Sequence, residues 1–321
     1  MTSSKNTCQE ISQLSDEEVG NFINSFDTVL TDCDGVLWFG MKPVPGSPEV
    51  INLFRELGKK VYYVTNNSTK HRRDFLKKCI DLKFGGTQEE VLGTAYLAAW
   101  YLKNQNFKGK VYMLGEAGLA QELSDVGIEC IGLGPDLPPK DPFSAHVAVD
   151  IVKELDPDVN CVLVAFDFNI SYPKIIKALN YLEKPGVIFL ASNTDERFPM
   201  DPYALPGTAA IVASVTVPAE RDPVILGKPN TFFFDAVRQR SPTVQPERTL
   251  MIGDRANTDI LLGKNCNLKT LQVGGGVHKL SDIRRWEKSS CPKENKLVAD
   301  YYIDSLGDLL PLMQRIKHLI K

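Results

Sequence analysis

Polar side chains that can bind or transfer a charged group recur where predicted strands end. Asp32-Cys33-Asp34-Gly35 follows a first strand, and Thr65-Asn66-Asn67 follows the next one along the chain. Gly227-Lys228-Pro229 and Gly253-Asp254 follow two later strands, with Asp259 five residues further on. Open parallel sheets hold their ligand sites at the carboxyl ends of the strands. We therefore expect these side chains to meet at one edge of a sheet.

Each segment taken alone also has an ordinary structural explanation. Asp-x-Asp-Gly suits a turn, and Thr-Asn-Asn suits the cap of a following helix. A lysine before a proline is usually a solvated charge, and Gly-Asp with a later Thr-Asp can form a loop and a helix start. Packing alone would rarely place carboxylates, a hydroxyl, amides and an ammonium group at four strand ends. The combination therefore favours a chemical site.

These residue types suit the hydrolysis of a phosphate ester. Two carboxylates at Asp32 and Asp34, joined by Asp254, would form an oxygen-rich negative pocket of the kind that magnesium prefers. The hydroxyl of Thr65 and the ammonium group of Lys228 would hold the phosphoryl oxygens as charge moves in the transition state. One carboxylate can attack phosphorus, and a second can transfer protons to the alcohol and from water.

The surrounding sequence alternates between apolar runs and helical patterns. Ser15 followed by Glu18 forms a capping-box signature and predicts a helix from there. Repeated strand–helix–strand units at this spacing predict parallel sheets covered by helices. The predicted strands include 28–34, 60–67, 110–115, 248–254 and 269–275, and the predicted helices include 47–59, 71–82, 91–104, 231–240 and 259–266.

Composition narrows the class of protein further. The 321 residues are 43% hydrophobic and 24% charged, the balance of an ordinary globular protein, and the net charge of −3 includes no basic run. We expect no nucleic-acid partner and no membrane partner, because neither a basic patch nor a membrane-spanning stretch is present. Seven scattered cysteines predict neither a disulfide framework nor a zinc site. With a polar N-terminus that lacks a signal-peptide core, the chain is expected to be cytoplasmic.

The motifs DCDG, TNN, GK and GDRANTD resemble those of the haloacid-dehalogenase superfamily. The longer segments DCDGVLW, VTNNS, ILGKP and GDRANTDILLG are similar to its phosphoglycolate phosphatase and pyridoxal phosphatase branch, and most to phosphoglycolate phosphatase. The resemblance extends over nearly all of the chain from about Asp27. It implies an α/β fold, with a doubly wound parallel-sheet core and an inserted α/β cap domain, which in this superfamily is called a type-2 cap. It also implies a magnesium-dependent phosphatase that acts on small-molecule phosphate esters, including aryl phosphates.

The resemblance assigns a role to each site residue. Asp32 would be the nucleophile and Asp34 the general acid and base. The expected phosphate-binding residues are Thr65, Asn66, Asn67 and Lys228. Mg²⁺ would bind to Asp32, the main-chain carbonyl of Asp34, and Asp254, with Asp259 supporting that site from outside.

Spacing predicts where the second domain lies. Roughly 160 residues separate the second motif from the third, and their own strand–helix pattern predicts a separate core. We assign 1–107 and 222–321 to the catalytic core and 108–221 to the cap. By the family resemblance, two caps pair to form a homodimer and present a specificity loop at 192–199.

Within that loop, Arg197 and Phe198 are the candidate residues for substrate choice. Phe198 precedes Pro199, at the position where the pyridoxal phosphatases carry a histidine. Arg197 resembles the arginine that phosphoglycolate phosphatases carry just before it. A guanidinium group can pair in bidentate fashion with a carboxylate, so we expect a preference for phosphoglycolate or related phospho-hydroxy acids. Arg197 could instead be a surface residue that bridges to Glu196 or to the partner's cap.

Several alternatives bear on single residues and on the whole site. His71, Asn230, Asn257 and Asn267 depart from the branch pattern but remove no group that the chemistry requires. Cys33 could be a redox switch or a small buried residue whose reactivity neighbouring carboxylates suppress. A P-loop nucleotidase is excluded because Gly-x4-Gly-Lys-Ser/Thr does not occur, and the absence of Gly-x-Gly-x-x-Gly disfavours a dinucleotide enzyme. Two alternatives to an enzyme are a phospho-aspartate receiver module and a catalytically inactive relative that binds a partner.

Overall fold

The computed structural model describes residues 7–136, 145–198 and 203–320, and only the backbone at 145–148. Numbered along the chain, the strands are β1 (Gln9–Glu10), β2 (Thr28–Thr31), β3 (Trp38–Phe39), β4 (Lys42–Pro43), β5 (Lys60–Thr65), β6 (Val91–Gly93), β7 (Lys110–Leu114), β8 (Cys130–Ile131), β9 (Val159–Val164), β10 (Ile188–Ala191), β11 (Arg197–Phe198), β12 (Leu205–Pro206), β13 (Val224–Ile225), β14 (Thr249–Gly253), β15 (Lys269–Val273) and β16 (Tyr301–Ile303).

The helices are α1 (Asp16–Asn24), α2 (Ser47–Glu56), α3 (Arg72–Asp81), α4 (Thr94–Asn104), α5 (Ala117–Ser124), α6 (Ala145–Lys153), α7 (Tyr172–Leu182), α8 (Thr208–Ala219), α9 (Phe232–Arg240), α10 (Leu261–Asn265), α11 (Leu280–Lys288), α12 (Pro292–Asn295) and α13 (Leu309–Arg315). Within the described ranges, we find no helix that combines the length and the apolar character needed to cross a membrane.

The first sheet has the strand order β1-β16-β15-β14-β2-β5-β6. Its strands pair in parallel from β1 through to β5, and Thr31 lies between Tyr63 on β5 and Ile252 on β14. The chain runs outward from β2 in both directions, first to β5 and later to β14. This reversal is the topological switch point at which such sheets bind their ligands.

Both faces of this sheet are covered, as the near-continuous apolar strands predict. On β16 the two faces separate clearly, because neighbouring side chains of a strand point in opposite directions. Ile303 packs in the core that contains Val273 and Leu309, while Tyr302 packs in a second core with Trp286. The predicted doubly wound parallel sheet is confirmed.

A local sequence signal places the start of α1 correctly. At the start of α1, the hydroxyl of Ser15 accepts from the main-chain N–H of Glu18 at 3.3 Å, and Glu18 Oε2 accepts from the Ser15 N–H at 2.8 Å. The capping box predicted there is therefore confirmed.

The prediction of one helix over residues 91–104 is wrong at its beginning. Val91–Gly93 forms the edge strand β6, and the helix α4 starts only at Thr94. Val91 and Leu92 are buried. A three-residue strand is too short to show an alternating period, so its apolar residues merge with the helical pattern that follows.

The second sheet has the order β13-β10-β9-β7-β8, and its strand pairs are parallel. It has its own apolar core, which includes Tyr112, Val162, Phe189 and Val215. Helix α7 packs against β9, and α8 packs against α7. The inserted part of the chain is therefore an α/β unit, as predicted.

The chain divides into two compact units. One contains the residues up to Thr65, Phe75–Leu92 and those from Lys228 onward, and the other contains Asn66–Asp74 and Gly93–Gly227. Helix α4 belongs to the second unit because it packs on α5, and β13 belongs there because it pairs with β10. The assignment of catalytic and cap roles to 1–107 with 222–321 and to 108–221 stays a prediction.

Candidate active site

Three of the predicted site residues stand at the carboxyl ends of neighbouring strands. Asp32 follows β2, Thr65 ends β5, and Asp254 follows β14. The main-chain N–H of Asp32 donates to the carbonyl of Ile252 at 2.8 Å. The hydrogen bonds of the sheet therefore fix the backbone of the residue that carries the carboxylate. All three side chains are buried. The sheet thus holds two carboxylates and a hydroxyl on rigid supports.

Lys228 binds two carboxylates at this edge. Its Nζ lies 2.6 Å from Asp32 Oδ1 and 2.8 Å from Asp259 Oδ1, and it also donates to the carbonyl of Val64 at 3.4 Å. Burial disfavours the ammonium ion, but Asp259 and Asp32 outweigh that effect and hold the pKa of Lys228 above its usual range. The lysine is therefore a permanent positive charge beside Asp32.

One ammonium group does not neutralise the acidic cluster. Carboxylate oxygens of Asp32, Asp254 and Asp259 all lie within 4.8 Å of one another, and all three side chains are buried. Burial raises the pKa of Asp32 well above its usual range, with Lys228 opposing and Asp259 and Asp254 adding to the rise. Burial and Asp259 likewise raise the pKa of Asp254 to about 6. Three carboxylates against one cation leave negative charge that a hard divalent ion with oxygen ligands would neutralise.

Two glycines make room for Asp254. A Cβ atom at Gly35 would lie 2.6 Å from Asp254 Oδ2, and one at Gly276 would lie 1.7 Å from the same oxygen. Gly35 also has a φ of +89°, in the left-handed region that favours glycine. The main-chain N–H of Val277 donates to Asp254 Oδ2 at 2.9 Å and fixes its direction.

The side chain of Asp34 lies apart from this acidic cluster. Its Oδ1 accepts from the indole N–H of Trp38 at 2.9 Å, and the ammonium group of Lys78 lies 3.7 Å from the same oxygen. The side chain is 40% exposed, in contrast to that of Asp32. One carboxylate of the Asp-x-Asp pair is thus enclosed, and the other is open to solvent.

Asn66 is held by side chains of the second unit. Its Nδ2 donates to Asp195 Oδ1 at 3.1 Å and to Oδ2 at 3.2 Å, and its carbonyl accepts from Thr94 Oγ1 and from Asn193 Nδ2, both at 2.8 Å. Asn67 Oδ1 accepts from the N–H and the hydroxyl of Thr69, each at 2.8 Å. Asp195 and Asn193 lie in the predicted specificity loop, but the sequence did not indicate which residue they contact.

The described end of that loop forms one strand of a two-stranded antiparallel sheet. Arg197 and Phe198 lie on β11, which pairs with β12, and Phe198 packs edge-to-face on Phe166 with ring centroids 4.8 Å apart. Arg197 is exposed, and within the described residues no ion pair joins it to Glu196. Pro199 lies outside the described residues. A role for Arg197 toward a substrate or a partner's cap stays a prediction.

His71 serves the structure of the second unit. Its Nδ1 accepts from the main-chain N–H of Arg73 at 3.0 Å, which places its proton on Nε2, 2.8 Å from Asp125 Oδ2. Arg72 forms an ion pair with buried Glu122 at 3.0 Å. His71, Glu122 and Asp125 are spaced like metal ligands. An Nε2–H that donates to a carboxylate is nevertheless unable to bind a cation.

Two family models match the sequence. One describes haloacid dehalogenase-like hydrolases and matches residues 29–129, and the other is described as HAD-hydrolase-like and matches residues 225–309.

Curated relatives match along nearly the whole chain. The chain is 42% identical to the glycerol-3-phosphate phosphatase of Homo sapiens, over 94% of this chain and 95% of that protein. It is 37% identical to phosphoglycolate phosphatase 2 of Arabidopsis thaliana, over 94% and 98% of the two chains. It is also 37% identical to the 4-nitrophenylphosphatase of Schizosaccharomyces pombe, over 92% and 97%.

Solved structures share the fold. The p-nitrophenyl phosphatase from Archaeoglobus fulgidus superimposes with a TM-score of 0.74 at 24% identity, over 89% of this chain and 99% of that one.

Proposed function

The chain belongs to the haloacid dehalogenase-like hydrolase family and is a phosphoric monoester hydrolase, and we propose that it uses magnesium and an aspartyl-phosphate intermediate. The predicted family and enzyme class are confirmed. The observation that carries the proposed mechanism is the contact of Lys228 with Asp32, 2.6 Å apart at the switch point of the sheet. A phosphate-binding cation beside a buried carboxylate suits nucleophilic attack on phosphorus.

In the first half of the reaction, a carboxylate oxygen of Asp32 forms a bond to phosphorus as the ester bond breaks. The Asp34 carboxyl group gives its proton to the departing alcohol. In the second half, Asp34 takes a proton from water as the water oxygen attacks phosphorus, which releases phosphate and restores Asp32. The hydroxyl of Thr65 and the ammonium group of Lys228 donate to the phosphoryl oxygens throughout, and Asn66 and Asn67 continue the same phosphate-binding segment.

The buried carboxylates fit a magnesium ion. Asp32, the main-chain carbonyl of Asp34, and Asp254 would hold it, and Asp259, which contacts Lys228, would support it. When bound, the ion supplies positive charge that lowers the repulsion between the anionic ester and these carboxylates.

The second unit is proposed to be the cap and the dimerisation domain. It has its own sheet and core, and it exposes large apolar side chains at Phe168, Tyr172 and Tyr203. Such side chains favour association with a second surface. Light scattering at micromolar concentration should give a homodimer, and a fully active monomer would contradict the proposal. Cytoplasmic location stays a prediction.

The proposed substrates are phosphoglycolate and related phospho-hydroxy acids, with Arg197 pairing with the substrate carboxylate. Glycerol 3-phosphate is a second candidate, because relatives that are 42% identical are named for that activity. The decisive assay measures phosphate release from phosphoglycolate, glycerol 3-phosphate, pyridoxal phosphate and p-nitrophenyl phosphate, with magnesium and with excess chelator. Turnover in chelator, or by a folded Asp32→Asn variant, would contradict the mechanism.

The substrate assignment has its own test. Arg197→Ala should raise the KM for phosphoglycolate and hardly change that for p-nitrophenyl phosphate, which has no carboxylate. Equal changes for both substrates, or a wild-type preference for pyridoxal phosphate, would show that Arg197 has another role.

A further inference from the structure

The environment of Asp34 is built by one buried aromatic residue. Trp38 is fully buried, and its indole N–H donates to Asp34 Oδ1 at 2.9 Å. The two residues also form a bridge through their backbones, and the N–H of Gly35 donates to the Trp38 carbonyl at 2.9 Å. The carboxylate and its donor therefore belong to the same tight loop.

Neighbouring side chains hold the indole ring of Trp38 in place. The Trp38 ring packs against Phe75 and Phe84, with centroid distances of 5.6 and 5.5 Å. The ammonium group of Lys78 lies 4.4 Å from the ring centroid and 3.7 Å from Asp34 Oδ1. A buried indole N–H needs an acceptor, and here the acceptor is the side chain proposed as the acid and base.

We propose that Trp38 is a positioning residue for proton transfer by Asp34, an inference that rests on the proposed function. Trp38 and Lys78 both direct positive charge at Oδ1, which keeps that oxygen as an acceptor. Within the described part of the chain, Oδ2 of Asp34 makes no hydrogen bond. Oδ2 is therefore the oxygen available to give a proton to the alcohol and to take one from water.

The proton follows a defined path in both halves of the reaction. As the Asp32 oxygen forms its bond to phosphorus and the ester bond breaks, the proton on Asp34 Oδ2 moves to the alcohol oxygen. When water attacks the phosphorylated Asp32, Oδ2 accepts one water proton and the Asp32–phosphorus bond breaks. Trp38 touches none of the reacting atoms and acts only by fixing the carboxyl plane.

Esters with different leaving groups distinguish a role of Trp38 in proton transfer from a role in packing alone. An alkoxide is a strong base and needs a proton as it departs, whereas p-nitrophenolate departs as a stable anion. The ratio kcat/KM includes only the steps up to the departure of the alcohol, so the shared hydrolysis of the intermediate does not enter it. A fault in proton transfer must therefore lower kcat/KM for the alkyl ester selectively.

Trp38→Phe is the test, because it removes the N–H but keeps an aromatic ring in the same packing position. We expect kcat/KM with magnesium to fall about tenfold or more for phosphoglycolate or glycerol 3-phosphate, whichever is turned over. The value for p-nitrophenyl phosphate should change by less than about threefold. Phe84→Leu is the matched control, since it loosens the packing around Trp38 and keeps the N–H. It should change kcat/KM for both substrates by the same factor.

Asp34→Asn in the same assay separates the two levels of the proposal. If Asp34→Asn lowers kcat/KM equally for alkyl and aryl esters, the proposed acid role of Asp34 fails. If its loss is selective but that of Trp38→Phe is equal for both esters, only the positioning role of Trp38 is overturned. Should Trp38→Phe not fold, benzothienylalanine at position 38 has the shape of tryptophan without the N–H, and the same selective loss is expected.

Discussion

Removing the charge of Asp254 should stabilise the metal-free protein while it abolishes metal binding. Burial, with the nearby Asp259 carboxylate, raises the pKa of Asp254 from the usual 3.8 to about 6. A folded-state pKa above the unfolded one means that ionisation opposes folding. Below about pH 4 both states hold the proton and the cost is absent. It grows as the pH rises toward 6 and is complete above that value.

The size of the effect follows from that difference in pKa, which corresponds to about 3 kcal/mol. Asp254→Asn removes this cost but leaves a neutral acceptor for the Val277 N–H, which costs about 1 kcal/mol. The net gain at pH 7.5 in chelator is about 2 kcal/mol. At roughly 2–4 °C per kcal/mol for a domain of this size, Tm should rise by about 4 °C or more.

Thermal unfolding between pH 4 and pH 8, with chelator and with magnesium, measures this directly. Metal-free wild-type protein should lose stability as the pH rises through 6, and Asp254→Asn should lose less. Magnesium should raise the Tm of the wild type, because it binds the folded state, and should hardly raise that of the variant. Asp158→Asn, at an exposed position, is the control and should change neither curve. A lower Tm of Asp254→Asn in chelator, or an unchanged magnesium response, would refute the account of this cluster.

Two further outcomes test other parts of the site. Asp195→Asn weakens the hold on the Asn66 amide, so it should lower kcat/KM about tenfold for alkyl and aryl phosphates alike, a loss of the size expected when a hydrogen bond to a charged group is weakened. A loss confined to one substrate would instead indicate that Asp195 contacts the leaving group. Burial and the Asp32 carboxylate raise the pKa of Cys33 well above its usual range, so iodoacetamide at pH 8 should label exposed Cys291 and spare Cys33. Mass spectrometry that finds Cys33 alkylated in folded, active protein would revive its interpretation as a redox switch.

The sequence was most informative where its signals are local. The capping box at Ser15 and Glu18 was readable because both hydrogen bonds lie within four residues. The parallel sheet was predictable because strands buried on both faces read as short apolar runs between helical segments. Local signals failed at Val91–Gly93, where a strand of three residues has no period of its own.

Long-range contacts were decided only by the folded chain. The sequence predicted that Asp32 and Lys228 belong to one site, because both follow predicted strands and the family motifs contain both. Only the tertiary structure showed that Lys228 binds Asp32 and Asp259 together, that Trp38 donates to Asp34, and that Asn66 is held by Asp195. The physical reason is that side-chain direction and rotamer depend on the packing of elements far apart in the chain, which no short sequence window contains.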